Sequence, residues 1–129
     1  MQAAANNAVW RSARTCYDHL AGRLGVALTG ALLEGGVIRL EGRDVQVTAF
    51  GQRWLGERGI DVSVLGGRRK LAFACRDVTE GKAHVAGALG AAIARLWLER
   101  GWVRRIEGSR ALELMPAGIA ELPRWGVAW

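Results

Sequence analysis

His19-Leu20-Ala21-Gly22 and His84-Val85-Ala86-Gly87 are two copies of one phrase, and the text that follows each runs in parallel. Leu24-Gly25 corresponds to Leu89-Gly90, Leu33-Glu34 to Leu98-Glu99, and Gly36-Val37-Ile38 to Gly101-Trp102-Val103. Glu41-Gly42 then aligns with Glu107-Gly108, and Thr48-Ala49-Phe50-Gly51 with Met115-Pro116-Ala117-Gly118. The second copy runs slightly longer near its Glu-Gly pair. Self-similarity at long period marks a duplicated supersecondary unit, so the chain is read as a pseudo-symmetric object. The expected division is a first repeat over 1–65 and a second over 66–129, packed as one globular unit.

Periodicity supplies the expected elements. Val9, Ala13, Cys16 and Leu20 recur at spacings that line one face of a helix. Leu24, Leu28 and Leu32 carry an apolar stripe onward to Gly35-Gly36, a natural stop. Ile38-Arg39-Leu40 and Val45-Gln46-Val47 alternate around Glu41-Gly42-Arg43-Asp44, which predicts a hairpin. Thr48 is placed to cap a last helix that carries Phe50, Trp54 and Leu55. In the second half, Leu71, Cys75 and Val78 predict a helix from Arg68 to Glu80, and Val85, Leu89, Ile93 and Leu96 line the next. Val103 to Leu114 is the matching hairpin, tipped by Glu107-Gly108-Ser109-Arg110, and Pro116 opens a closing helix. A short strand is expected over Asp61 to Leu65 between the halves. The fold class expected is α+β, a tandem pseudo-symmetric repeat of two winged-helix-like units (helix-helix-β-hairpin-helix), mostly helical. Gly22, Gly25 and Gly30 interrupt one alanine-rich helix, and Gly87 and Gly90 the other. Interior glycine costs roughly 1 kcal/mol against alanine, so something is expected to pack close to those backbones, the equivalent helix of the other half or of another subunit.

Composition bounds the function classes. The chain has 129 residues, half of them hydrophobic, which argues for a packed core rather than disorder. No apolar run reaches membrane-spanning length, since Val85 to Leu98 is short and holds Arg95. Met1 to Asn7 shows no basic stretch followed by an apolar core, so no secretory signal is expected. With two cysteines, one per half, a disulfide scaffold is not indicated, and a reduced, cytoplasmic setting is the default expectation. The formal net charge is +6, and only Lys70 and Lys82 of the basic residues are lysines. Arginine suits phosphate through its planar fork of donors, although coding bias accounts equally well for the preference.

Cys16-x2-His19, with Cys75 and His84 from the other half, is a set that could form a Cys2His2 zinc site across the pseudo-twofold. Against it, Cys75 and His84 are spaced differently from their counterparts, and both cysteines fall on expected apolar stripes, where free cysteine acts as a small hydrophobe. Buried structural cysteines are the simpler reading, and no cofactor is predicted. Thiol sensing by the same residues would need exposure and a lowered pKa. Asp18 and Asp77 each follow a cysteine by two positions and could orient a neighbouring histidine or arginine, with helix capping as the simpler role. No nucleophile elbow, phosphate loop or paired-carboxylate motif occurs, so the chain is read as non-enzymatic. Trp54 and Trp97 are assigned to the core, and Trp125 and Trp129 to an aromatic tail that docks on another subunit.

The block Ala13-Arg14-Thr15-Cys16-Tyr17-Asp18-His19-Leu20-Ala21-Gly22 through Leu28 resembles the C-terminal region of bacterial ArsR-type (arsenic-repressor-like) transcriptional regulators. So do His84 to Ala92 and Gly108-Ser109-Arg110-Ala111-Leu112-Glu113-Leu114 with Pro116-Ala117-Gly118. The resemblance implies a regulator whose winged-helix DNA reader precedes this region. The chain starts about ten residues before the match, so the reader and the thiolate metal motif known from metal-sensing members are expected to be absent. Direct contact with DNA would fall to the hairpin arginines Arg39, Arg43, Arg104, Arg105 and Arg110, acting on the phosphate backbone. The expected function is the dimerisation or effector-response part of such a regulator, a homodimer reaching DNA directly or through the missing reader, with no membrane role. The alternative is a non-enzymatic small-ligand-binding or scaffold protein with no DNA role.

Overall fold

The computed structural model describes residues 8–129. A helical turn over 8–12 leads into a short hairpin, β1 (Arg14–Cys16) and β2 (His19–Ala21), followed by helix α1 (Gly22–Glu34). A second hairpin, β3 (Ile38–Glu41) and β4 (Asp44–Val47), precedes α2 (Ala49–Glu57) and a 3-10 turn at Val62–Val64. The same order then recurs: β5 (Phe73–Arg76), β6 (Ala83–Ala86), α3 (Gly87–Glu99), β7 (Val103–Arg105), β8 (Leu112–Leu114), α4 (Pro116–Glu121) and a 3-10 turn at Leu122–Trp125.

The fold is α+β, but the expectation of a mostly helical tandem of winged-helix-like units is overturned. The first element of each half is a β-hairpin, not a helix, and the described strands form three antiparallel sheets. The helical spacing of Val9, Ala13, Cys16 and Leu20 misled because β1 and β2 are covered on both faces. Arg14, Thr15, His19, Leu20 and Ala21 are all buried, so no in–out alternation reaches the sequence. The helix expected from Arg68 to Glu80 is strand β5 running into a turn, where Asp77 Oδ2 accepts the amides of Thr79 and Glu80. Asp77 thus ends the strand by an Asx-type turn. The strand expected at Asp61 to Leu65 is instead the 3-10 turn, with Asp61 accepting from the Ser63 amide.

Sheet pairing crosses between the halves. Hairpin β5–β6 joins β3–β4 in one four-stranded sheet, with Asp44 opposite Phe73. Hairpin β1–β2 meets β7–β8 in the corresponding way through an isolated bridge of Arg14 with Ala111, supported by Thr15 N–H to the Arg110 carbonyl and Leu112 N–H to the Ala13 carbonyl. Each half's first hairpin therefore extends the other half's second hairpin. The long helices follow the same exchange. On α1, Thr29 Oγ1 donates to the Gly25 carbonyl and accepts the Val85 amide of β6, tying the helix to the opposite hairpin.

The core is continuous across both halves, with Leu24, Leu28 and Leu32 of α1 and Leu89, Ile93 and Trp97 of α3 all buried. Trp97 sits in an aromatic cluster, 5.0 Å from Trp102 and 5.6 Å from Trp125, and Trp125 is 5.2 Å edge-on to Trp54. Trp125 is 1% exposed, so it belongs to the core and not to a docking tail. Trp129 lies beneath the Arg23 guanidinium. Among the described residues, no helix is long and apolar enough to cross a membrane.

Candidate metal centre

The hairpins that replaced the expected helices decide where the cysteines and histidines go. In β1–β2 the two-residue turn Tyr17-Asp18 sets Cys16 directly opposite His19. Tyr17 takes a left-handed φ of 56°, the conformation that such a tight reversal requires. In β5–β6 a longer turn sets Cys75 directly opposite His84. Spacings that look different along the chain thus become the same cross-strand pair, because each hairpin's own turn sets a register that places cysteine opposite histidine. The two hairpins face one another, and one ligand atom from each of Cys16, His19, Cys75 and His84 lies within 4.8 Å of all the others. The imidazole centroids are 4.9 Å apart.

The helices make room for this arrangement. A Cβ added to Gly25 would overlap the Leu20 carbonyl and press on the His84 Cβ at 3.4 Å. At Gly90 it would overlap the Val85 carbonyl and stand 3.0 Å from the His19 Cβ. Each glycine therefore admits its own hairpin's backbone and the other half's histidine. The close neighbours are hairpins and not the expected equivalent helix, and at Gly30 nothing lies within 4 Å of an added Cβ.

Both histidine side chains are almost wholly buried, His19 at 5% and His84 at 1% exposure. His84 Nδ1 lies 3.1 Å from Asp77 Oδ1, which leaves Nε2 buried without a partner among the described residues. His19 Nδ1 is 3.5 Å from Asp18 Oδ1, too long to serve as a hydrogen bond, and neither of its ring nitrogens has a partner among the described residues. Burial holds both imidazoles below their ordinary pKa, and for His84 the neighbouring His19 adds to the effect. The shift favours the neutral ring, the state in which imidazole binds a metal. The cysteines are free and half-buried. Burial and the adjacent Cys16 thiol push the Cys75 thiol up.

Asp77 anchors one side of the cluster. Its Oδ1 accepts the Gly22 amide at the start of α1 at 2.7 Å and the Arg14 guanidinium at 3.2 Å, while Oδ2 accepts the Thr79 hydroxyl at 2.8 Å. Burial alone would raise its pKa, but the Gly22 amide, the Thr79 hydroxyl, the Glu80 amide and the Arg14 charge hold it well below the ordinary value. Both roles weighed for this residue are realised in one carboxylate, which caps the opposite half's helix and orients His84. Asp18 is likewise held low, burial being outweighed by Arg69, whose guanidinium is 2.8 Å away.

The hairpin arginines are not gathered into this centre. Arg39 donates to Gln46 and Arg104 pairs with Glu113, each across its own hairpin. Arg43 lies in the β3–β4 turn, and Arg105 ends β7 as an exposed residue. Arg110 reaches the first hairpin, donating to the carbonyls of Thr15 at 3.1 Å and Tyr17 at 2.7 Å. The participation of Arg14 and Asp77 was not legible as buried chemistry. Only the shared Cys-x-Asp spacing after each strand signalled it.

Over 107 residues, 82% of this chain, the sequence is 37% identical to the uncharacterized HTH-type transcriptional regulator YdfF of Bacillus subtilis (strain 168). The matched segment is 47% of that protein, so the chain spans about half the length of the curated relative it matches. No family model matches the chain. No solved structure matches it.

Proposed function

We propose that this chain is the dimerisation and effector-response part of an HTH-type transcriptional regulator of the ArsR-like kind. The similarity to about half of an HTH-type transcriptional regulator supplies the context. The observation that carries the responsive role is the closed thiol–imidazole cluster, whose members come in pairs from two facing hairpins. A change at that cluster bears on how the halves are held together, because the hairpins also carry the exchanged strand pairing. Sequence-specific reading of DNA is assigned to the part of the relative that this chain does not match.

The basic hairpins fit at most a phosphate-backbone role. Three of the five candidate arginines, Arg39, Arg104 and Arg110, are engaged within the protein. For self-association, Val9 and Ile119 expose apolar surface beside Leu114 and Trp129, a patch that a second copy would cover. Fluorescence anisotropy with duplex DNA, titrated over about 50 to 200 mM salt, tests the first point. Weak binding that is indifferent to sequence and falls steeply with salt is expected. Tight, sequence-selective binding by this chain alone would overturn the assignment. Light scattering tests the second, with a dimer expected and a monomer at high concentration counting against it.

A further inference from the structure

We propose that Cys16, His19, Cys75 and His84 form a tetrahedral site for one divalent cation of borderline softness, Zn2+ being the ion that fits. The inference rests on the geometry of these four residues and stands whether or not the regulatory reading holds.

Donor type comes first. Two thiols and two imidazoles are the donor set that selects Zn2+ in closed tetrahedral sites, and two thiolates neutralise the ion's charge in a buried position. Distance comes next. With Zn–S near 2.3 Å and Zn–N near 2.0–2.1 Å, the edges of such a tetrahedron measure roughly 3.3 to 3.8 Å. The four ligand atoms already lie within 4.8 Å of one another. Closing onto an ion therefore asks for movements of about 1 Å, within the range of small side-chain adjustment.

Unpaired polarity points the same way. His84 Nε2 and both ring nitrogens of His19 are buried without partners among the described residues. A buried polar atom left unsatisfied costs about 1–3 kcal/mol, and two such rings side by side make poor core residues. Cysteines acting as small hydrophobes would explain the thiols but not the facing imidazoles. A cation bound at one nitrogen of each ring removes the cost.

The surroundings resemble a built outer shell. Metal-ligating histidine usually gives its second nitrogen to a carboxylate, which fixes the tautomer and aims the ring. Asp77 does this for His84 at 3.1 Å and is itself held by Arg14, Gly22 and Thr79. Asp18 stands on the corresponding side of His19, with Arg69 against it. Binding is balanced as a proton exchange: the ion takes two thiolates and two neutral imidazoles, and the two thiol protons leave to solvent. No oxidant is involved.

The test uses the full chain, reduced and stripped with a chelator. Titration with Co2+ as a spectroscopic stand-in should give an intense visible ligand-field spectrum of tetrahedral type, with sulfur-to-cobalt charge transfer, saturating at one ion per chain. Zn2+ should displace it and should protect both thiols from alkylation. The Cys16→Ser, Cys75→Ser double variant, its fold checked by circular dichroism, should lose the charge-transfer band. It should also bind Zn2+ more weakly by more than the ~10–100-fold that removal of an outer-shell partner costs. If the variant fails to fold, alkylation protection in the unmodified chain decides the matter. The proposal is overturned if the reduced, folded chain shows no tetrahedral Co2+ spectrum and no Zn2+ protection. It is equally overturned if Zn2+ binding survives undiminished in the folded double variant, or if the thiols only oxidise to a disulfide and retain no ion.

Discussion

Asp77 and Gly90 show how single residues hold the centre. Asp77 has a wholly buried side chain and serves a helix start, an arginine and a histidine at once. Asp77→Asn keeps the shape but removes the charge and leaves Arg14 buried without its partner. Breaking such a pair costs about 3–5 kcal/mol, so a large fall in chemical-denaturation midpoint is expected. The folded carboxyl is held low, so its stabilisation is present above about pH 4, the unfolded value. That stabilisation is lost as pH falls through the folded value. Denaturation of the unmodified chain should therefore show acid sensitivity below about pH 4, and the Asn variant should lose that part of the dependence. At Gly90 an added methyl meets the Val85 carbonyl and the His19 Cβ. The ~1 kcal/mol that alanine gains in a helix is then outweighed by overpacking of roughly 1–3 kcal/mol. Gly30 is the control, with nothing within 4 Å of an added Cβ. Gly90→Ala is expected to lower Tm and Gly30→Ala to raise it, and equal shifts at the two sites would refute the close-approach argument.

Among the elements, the hairpins carry the structure that the sequence disguised. Ile38 to Val47 and Val103 to Leu114 announce themselves because one face of each is exposed, and alternation survives. The β1–β2 and β5–β6 hairpins are short, with β1, β2 and β6 largely buried and turns of Tyr17-Asp18 and of residues 77–82 that lack the usual Asn-Gly or Asp-Gly signature. Caps were more readable. Thr48 accepts the Gly51 amide at 2.8 Å as its position before α2 suggests. Thr48→Ala is expected to cost about 1 kcal/mol of stability, measured by urea unfolding. Arg110 belongs to this level as well, since it bolts the β7–β8 hairpin to the β1–β2 hairpin through two carbonyls. Arg110→Ala should lower Tm by several degrees, whereas Arg105→Ala, at an exposed strand end, should stay within about ±0.5 kcal/mol of the parent. A thermal melt in which the two variants behave alike would remove the structural role assigned to Arg110.

For the molecule as a whole, the exchange of hairpins makes the two halves interdependent. Residues 1–65 contain α1 without the β6 strand it contacts, and 66–129 contain α3 without β2. Each fragment would leave an open strand edge and an apolar helix face in water. The fragments are expected to be largely unfolded alone and to regain the parent's circular dichroism and dispersed amide NMR spectrum when mixed. A fragment that folds by itself would show that the exchanged pairing adds little.

Pattern along the chain was enough to place the two long helices, the solvent-facing hairpins and the capping threonine, because each depends on neighbours within a few turns. It also singled out the two cysteines and two histidines as one candidate set. The way these four meet was closed to it. The different spacing of the second pair speaks against a common site only if both segments are helices, where separation along the chain fixes the face. In hairpins the register sets the partner, and only the packing of one half's strands against the other's brings both pairs to a single point.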